Sequence, residues 1–253
     1  MNRKILTLSA LVLVIFFSML PLAFSQTPEE IYRKANMNYE NLDYEKAIYL
    51  YEMLIKMDRV SPEVYYNLGN SYFKLKKIGK AIVNYRRALR SMPRDIDAKL
   101  NLKLARTLRV DKIETVEKGF ILGLISIPYE VFNIDELTIL FIIDYLITII
   151  FLIGLILFKR KTFLYVALVF ASLSLITGIY LAIKINNEQI VKEAVVVVEK
   201  VDVRSGPRDD YLLQFTLHEG MELKIVGEKQ DWFEISLSKD LKGWLPKSSV
   251  EVI

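Results

Sequence analysis

The sequence contains no cysteine, which removes disulfides, thiolate-bound metals, iron–sulfur clusters and cysteine nucleophiles together. A single histidine, His218, leaves no scope for a histidine-ligated metal or a histidine-based triad. Glycine is scarce, 10 in 253 residues, and none falls in a dinucleotide-binding or P-loop pattern. No catalytic constellation remains, so the sequence predicts a protein that is not an enzyme and holds no cofactor or metal. The net charge of +4 is spread over several regions and leaves no nucleic-acid footprint. What the chain has in excess is apolar residues, 53% of the total, with a mean hydropathy of +0.27. Soluble domains are about 45–50% apolar, so part of this chain is made for lipid.

Three apolar runs carry that excess. The first, Ile5 to Phe24, follows Arg3 and Lys4 and ends in Ala23-Phe24-Ser25, with small residues where a signal peptidase needs them. Residues 1–25 are read as a signal peptide; an uncleaved anchor is the alternative. The second run, Leu137 to Phe158, and the third, Thr162 to Ile183, have 22 residues each. At about 1.5 Å per residue each spans about 33 Å, the thickness of the hydrocarbon core. Only Lys159, Arg160 and Lys161 lie between them, and three cations in so short a turn belong on the cytoplasmic side. The hairpin then opens outward, so that residues 26–136 and 184–253 both lie on the periplasmic or extracytoplasmic side of the cytoplasmic membrane. Asp144 sits inside the first spanning helix. No second acid, lysine or histidine accompanies it there, which disfavours a proton relay. Polar contacts with Ser174, Thr177 and Tyr180 of the facing helix are expected instead.

Residues 26–108 repeat with a period of 34. Pro28/Pro62, Glu29/Glu63, Tyr32/Tyr66, Asn36/Asn70, Lys46/Lys80, Ala47/Ala81, Ile48/Ile82 and Tyr51/Tyr85 are identical at that offset. Within the second copy, Tyr65, Leu68, Gly69 and Tyr72 precede Ala81, Tyr85, Ala88 and Pro93. This pattern resembles the tetratricopeptide repeat, in which two antiparallel helices form one unit. Copies are expected over 28–61 and 62–95, with a terminal helix over 95–108 covering the last apolar face. The first copy is looser, with Asn38 in place of a tyrosine and Arg59 in place of the closing proline.

The resemblance implies protein binding on the concave surface formed by the first helix of each repeat. Tyr32, Asn36, Tyr66, Asn67, Asn70 and Lys74 are the candidate contacts, with Arg33, Tyr39, Glu40 and Phe73 beside them. Asn36 and Asn67 match two asparagines of that family's carboxylate clamp. Its lysine positions hold Tyr32 and Asp97, and its arginine position holds Asn101. Capture of a peptide C-terminus is therefore not expected. A basic stripe on the second copy (Lys74, Lys76, Lys77, Lys80, Arg86, Arg87, Arg90 and Arg94) fits an acidic partner, anionic headgroups or a solvated face.

Residues 109–136 form an amphipathic bridge. Phe120 to Ile127 is too short to span, Pro128 is expected to end it, and Asn133 with Glu136 should cap the helix that follows. From Ala194 onward, short apolar segments alternate with the turns Ser205-Gly206-Pro207, Glu219-Gly220 and Lys239-Asp240. The runs Val203 to Pro207, Leu217 to Gly220, Asp231 to Ile235 and Gly243 to Leu245 resemble the bacterial SH3 family. That resemblance implies a small all-β barrel over 194–253. Trp232 and Trp244 suit either a ligand groove or closure of its core. His218 reads as a solvated turn residue.

The expected fold class is a multidomain membrane protein: α-helical tetratricopeptide repeats, a two-helix transmembrane hairpin (137–158 and 162–183, turn 159–161) and a small SH3-like barrel. That combination resembles the BatE-like family of the Bat aerotolerance system. The resemblance implies a non-catalytic membrane scaffold working beside von Willebrand-type Bat proteins and a MoxR-type ATPase. A cell-wall tether, with the SH3 domain on peptidoglycan or its peptides, is the alternative.

Overall fold

The computed structural model describes residues 27–58, 60–111, 119–238 and 241–253, without the side chains of 120–122. The expected signal peptide, Arg59 and the Lys239-Asp240 turn lie outside the described residues. So does part of the bridge, 112–118.

Five helices build the region over 28–107, before the apolar hairpin. They are α1 (Pro28–Glu40), α2 (Tyr44–Lys56), α3 (Pro62–Lys74), α4 (Ile78–Ser91) and α5 (Ile96–Thr107). Their starts follow from the local sequence. Thr27 and Asp43 accept from Glu30 N and Lys46 N, and Asp95 accepts from Ala98 N at 2.9 Å. Proline opens α1 and α3, where its missing N–H costs nothing. The turns between paired helices each need one left-handed residue, Leu42 (φ 63°) and Lys76 (φ 60°), which stand one repeat apart. Small residues at the crossing points bring the helices together. A Cβ added to Gly69 would lie 2.8 Å from the Tyr85 ring. The core so formed contains Ile31, Ala35, Ala47, Tyr51, Leu54, Leu68, Tyr72, Ala81 and Tyr85.

Then come α6 (Phe120–Val131), α7 (Ile134–Phe158) and α8 (Lys161–Ile185), with a π-helical turn over Asn186–Ile190. Both α7 and α8 are long and apolar enough to cross a membrane. They pair as a hairpin whose tight turn rests on Lys159 in the left-handed region (φ 52°). Asn133 and Glu136 form a reciprocal capping box at the start of α7. Pro128 does not end the preceding helix. A proline removes one N–H bond only, and its own carbonyl still accepts from Phe132 N at 3.2 Å. Tyr180 Oη and Lys184 Nζ fasten α6 to α8 through the carbonyls of Ile125 and Tyr129, each at 2.7 Å.

The C-terminal region is an antiparallel sheet ordered β3-β2-β6-β5-β4-β1-β7. Its strands are β1 (Glu193–Val196), β2 (Lys200–Arg204), β3 (Leu213–His218), β4 (Glu222–Lys229), β5 (Trp232–Ser236), β6 (Lys242–Pro246) and β7 (Val250–Val252). Gly220, at φ 87°, makes the turn between β3 and β4, a conformation that favours glycine. Strand alternation in β1 joins two cores. Ala194 and Val196 point into the sheet's own core with Val203, Leu223, Ile235 and Leu245, whereas Val195 is buried among the helices. Helix α4 thus packs on β1 and β7, and the sheet is docked against the second repeat.

Candidate functional site

The asparagines and tyrosines expected on the concave face are indeed brought together, and they bond to one another. Asn36 Oδ1 accepts from Tyr51 Oη at 2.5 Å and from Asn67 Nδ2 at 3.3 Å, and Asn67 Nδ2 also reaches Tyr32 Oη at 3.1 Å. One repeat later the same four-residue unit recurs. Asn70 Oδ1 accepts from Tyr85 Oη at 2.9 Å and from Asn101 Nδ2 at 3.0 Å, and Asn101 Nδ2 reaches Tyr66 Oη at 3.2 Å. Burial and the neighbouring tyrosines push the Tyr51 and Tyr85 hydroxyls well above their ordinary range, so they remain donors. These bonds hold the first helix of each repeat to its own second helix and to the next first helix. They use one end of each amide. Among the described residues, Nδ2 of Asn36 and Asn70 and Oδ1 of Asn67 and Asn101 carry no bond and are not sealed in the interior. The ladder therefore presents alternating donors and acceptors, matching an extended backbone better than a terminal carboxylate. Lys74 is exposed at the end of the same face.

Three residues of this face are absent from the expected set: Asn101, whose amide completes the second unit, and two leucines. Leu100 and Leu104 of α5 stand 34 positions after Tyr66 and Asn70 and are 57% and 48% exposed. Extending the repeat offset by one more step finds them. Helix α5 has no second helix of its own among the described residues, so this pair continues the polar ladder as an apolar patch.

The basic stripe divides. Lys74, Lys76 and Lys77 stay exposed, but the arginines are consumed within the chain. Arg86 pairs with Glu193 and with Glu222 at 3.2 Å; Glu222 also receives Arg106 at 2.8 Å and Arg109 at 3.3 Å. Arg87 reaches Glu251 at 2.7 Å, and Arg90 donates to the carbonyl of Ile253 at 2.9 Å. Arg94 pairs with Glu136 at the head of α7, at 2.5 Å. Burial alone would raise the Glu222 carboxyl, but Arg106 and Arg86 outweigh it and hold it below the ordinary carboxylate range. Arg86 shows the matching shift: burial opposes its charge, and Glu193 with Glu222 hold it above its ordinary value. Glu219, half-buried beside the Gly79 N–H at 2.9 Å, moves the other way because its partial burial prevails. His218 is no free turn residue. It ends β3 and meets Asp111, with Nδ1 to Oδ1 at 3.0 Å and its backbone N–H on Oδ2 at 2.7 Å.

Trp232 and Trp244 are half-buried, and neither belongs to the sheet's core. Strand alternation explains this, since Phe233 and Ile235 of β5 and Leu245 of β6 take the inward positions. The cross-strand pairs Trp232–Pro246 and Glu234–Trp244 lie on the outer face, with Arg204 of β2 opposite Trp244. Trp232 and Pro246 line a cavity of about 410 Å³ with Lys200, Val201, Asp202, Arg204 and Asp209.

The expected polar contact across the hairpin is not formed. Thr148, Ser172 and Thr177 turn their hydroxyls to carbonyls of their own helices, at 2.8, 2.6 and 3.0 Å. Tyr180 is taken by α6. A hydroxyl three or four residues from an open carbonyl finds it locally, and among the described residues no hydrogen bond joins Asp144 to Ser174, Thr177 or Tyr180.

The paired helices, their 34-residue register and the open concave face define a helical-repeat module for protein interaction. Comparison with known families agrees. The tetratricopeptide repeat matches residues 62–95, and a TPR repeat pattern matches residues 35–76. No curated protein matches the chain. Tetratricopeptide repeats are a protein-interaction motif, so this region has protein partners.

Proposed function

We propose that the chain is a membrane-anchored, non-catalytic adaptor that holds an extended segment of a partner protein on the concave face of its repeats, outside the cytoplasmic membrane. The observation that carries this reading is the twice-repeated Asn–Tyr ladder. It fixes four amides in place, leaves one polar end of each free, and continues into Leu100 and Leu104, while the opposite side of the second repeat is covered by the chain's own sheet. In this reading residues 1–25 are a signal peptide, α7 and α8 anchor the chain with the Lys159–Lys161 turn on the cytoplasmic side, and 194–253 form a bacterial SH3 domain. The combination supports a Bat-type complex with von Willebrand-type partners.

The cell-wall reading is favoured by one observation. Both tryptophans lie outside the sheet's core, and Trp232 lines a cavity with polar walls, where wall peptides would bind. Deletion of 194–253 does not separate the two readings, because Val195 and the acids facing α4 are part of the repeats' own packing. The double substitution Trp232→Ala/Trp244→Ala does. An adaptor so altered keeps its protein partner. A tether so altered no longer sediments with purified wall, and partner capture lost with the tryptophans would overturn the adaptor reading.

A further inference from the structure

Asp144 lies ten residues into α7 from Ile134, about 15 Å along the axis. It is half-buried. The hairpin register follows from Gly154 packed against Phe163 and Gly178 against Phe141, which puts position 144 opposite Ser174. Among the described residues no hydrogen bond or ion pair reaches the Asp144 carboxylate; only its backbone carbonyl is used, by Thr148 Oγ1 at 2.8 Å.

Among the described residues, no cation of the chain lies within reach of it. Lys159, at the turn, is fifteen residues away, about 22 Å along the helix. Lys184 stands near the opposite end, about 15 Å from Asp144 by the same register. Its Nζ is committed to the Tyr129 carbonyl at 2.7 Å and to Glu188 at 3.2 Å. A second copy of the hairpin would bring another carboxylate to this depth and no cation. Acids within spanning helices pair with a charge or line water, and among the described residues no such charge of this chain is in reach.

We propose that Asp144 is a docking point within the bilayer for a transmembrane helix of another protein, one that carries a lysine or arginine near the middle of its span. The proposal rests on the reading of α7 and α8 as membrane-spanning. It adds a second contact to the adaptor: the concave face holds the outward part of a partner, and Asp144 specifies a helix in the membrane by charge.

The test uses the full-length chain in its native membranes, with the photocrosslinker p-benzoylphenylalanine replacing Tyr145, the adjacent residue, which is 52% exposed. Irradiation should give an adduct to a different integral membrane protein, mapped to an apolar segment that contains a lysine or arginine. Asp144→Leu should lower the yield about tenfold at equal abundance, the effect of losing one strong contact, and Asp144→Glu should retain it. Exchanging the charges, with Asp144→Lys and an acid at the partner's cation, should restore the adduct. Adducts to a second copy, to lipid alone, or of unchanged yield in Asp144→Leu would overturn the proposal. Extraction of the chain by alkaline carbonate, measured before irradiation, would overturn the membrane reading itself and is seen separately from any failure of the crosslink.

Discussion

Arg86 and Glu222 stand 136 residues apart in the chain and meet at 3.2 Å, where the second repeat touches the C-terminal sheet. Around that pair, Arg106, Arg109 and Glu193 complete a partly buried cluster, with Arg87 and Glu251 to one side. The positive stripe of α4 is thus largely an internal seam. The sheet leaves the concave side uncovered.

Glu222→Gln should destabilise the docked form by about 1–3 kcal/mol. The amide leaves three arginines without their common anion, and partial exposure of Arg106 reduces the effect below that of a fully buried pair. The acid dependence has a definite sign. Because Glu222 is held below the ordinary carboxylate range, its contribution is complete above about pH 4.3 and is lost as the pH falls through the lowered value. Thermal unfolding followed between pH 3 and 7 should show a shallower acid limb in the variant than in the parent.

Gly79→Ala separates docking from helix propensity. In an isolated helix this change would stabilise by about 1 kcal/mol. Here the added Cβ would lie 2.2 Å from the carbonyl of Val196. Backbone cannot yield as a flexible side chain does, so the change should cost about 1–3 kcal/mol. Faster proteolysis of the segment between α8 and β1 would report the loosened sheet; a rise in melting temperature would contradict the seam.

Asn70→Ala should cost about 1–3 kcal/mol of repeat stability, since the Tyr85 hydroxyl, buried at the helix crossing, loses its acceptor. Asn101→Ala should cost less, because its partners keep other bonds or reach solvent. Urea unfolding of the two variants checks the order. Alanine at Asn67 and Asn70 is for this reason a poor probe of binding: it alters the stacking and the groove together. Lys74, Leu100 and Leu104 probe the groove cleanly.

The repeat period, the hydrophobic runs and the turn glycines made the helical pairs, the hairpin and the change to β structure legible in the sequence, because each rests on local periodicity. Long-range pairing was not legible. Nothing in the order of residues tells that Arg86, Arg87 and Arg90 meet Glu193, Glu222, Glu251 and the last backbone carbonyls, or that Val195 belongs to the helical core. His218 looked solvated because its partner, Asp111, lies 107 positions away. The repeat spacing puts the tyrosines and asparagines on one helix face, but their mutual bonds depend on the stagger between helices, which sequence spacing does not give. Asp144 shows the reverse case. Facing hydroxyls suggest a contact across the hairpin, but Thr177 bonds a carbonyl of its own helix and Tyr180 one of α6.

The adaptor role requires the concave face to hold the partner, and the most direct measurement is a crosslink from that face in intact membranes. With p-benzoylphenylalanine replacing Leu100 in the full-length chain, irradiation should yield one dominant adduct to another protein. The same probe replacing Lys76, on the exposed turn between α3 and α4, should not. Adding Leu104→Glu, which places a charge in the apolar end of the groove without touching the ladder, should reduce the Leu100 adduct about tenfold, equivalent to about 1.4 kcal/mol. An adduct of equal yield from both positions, or one indifferent to Leu104→Glu, would contradict binding in the groove.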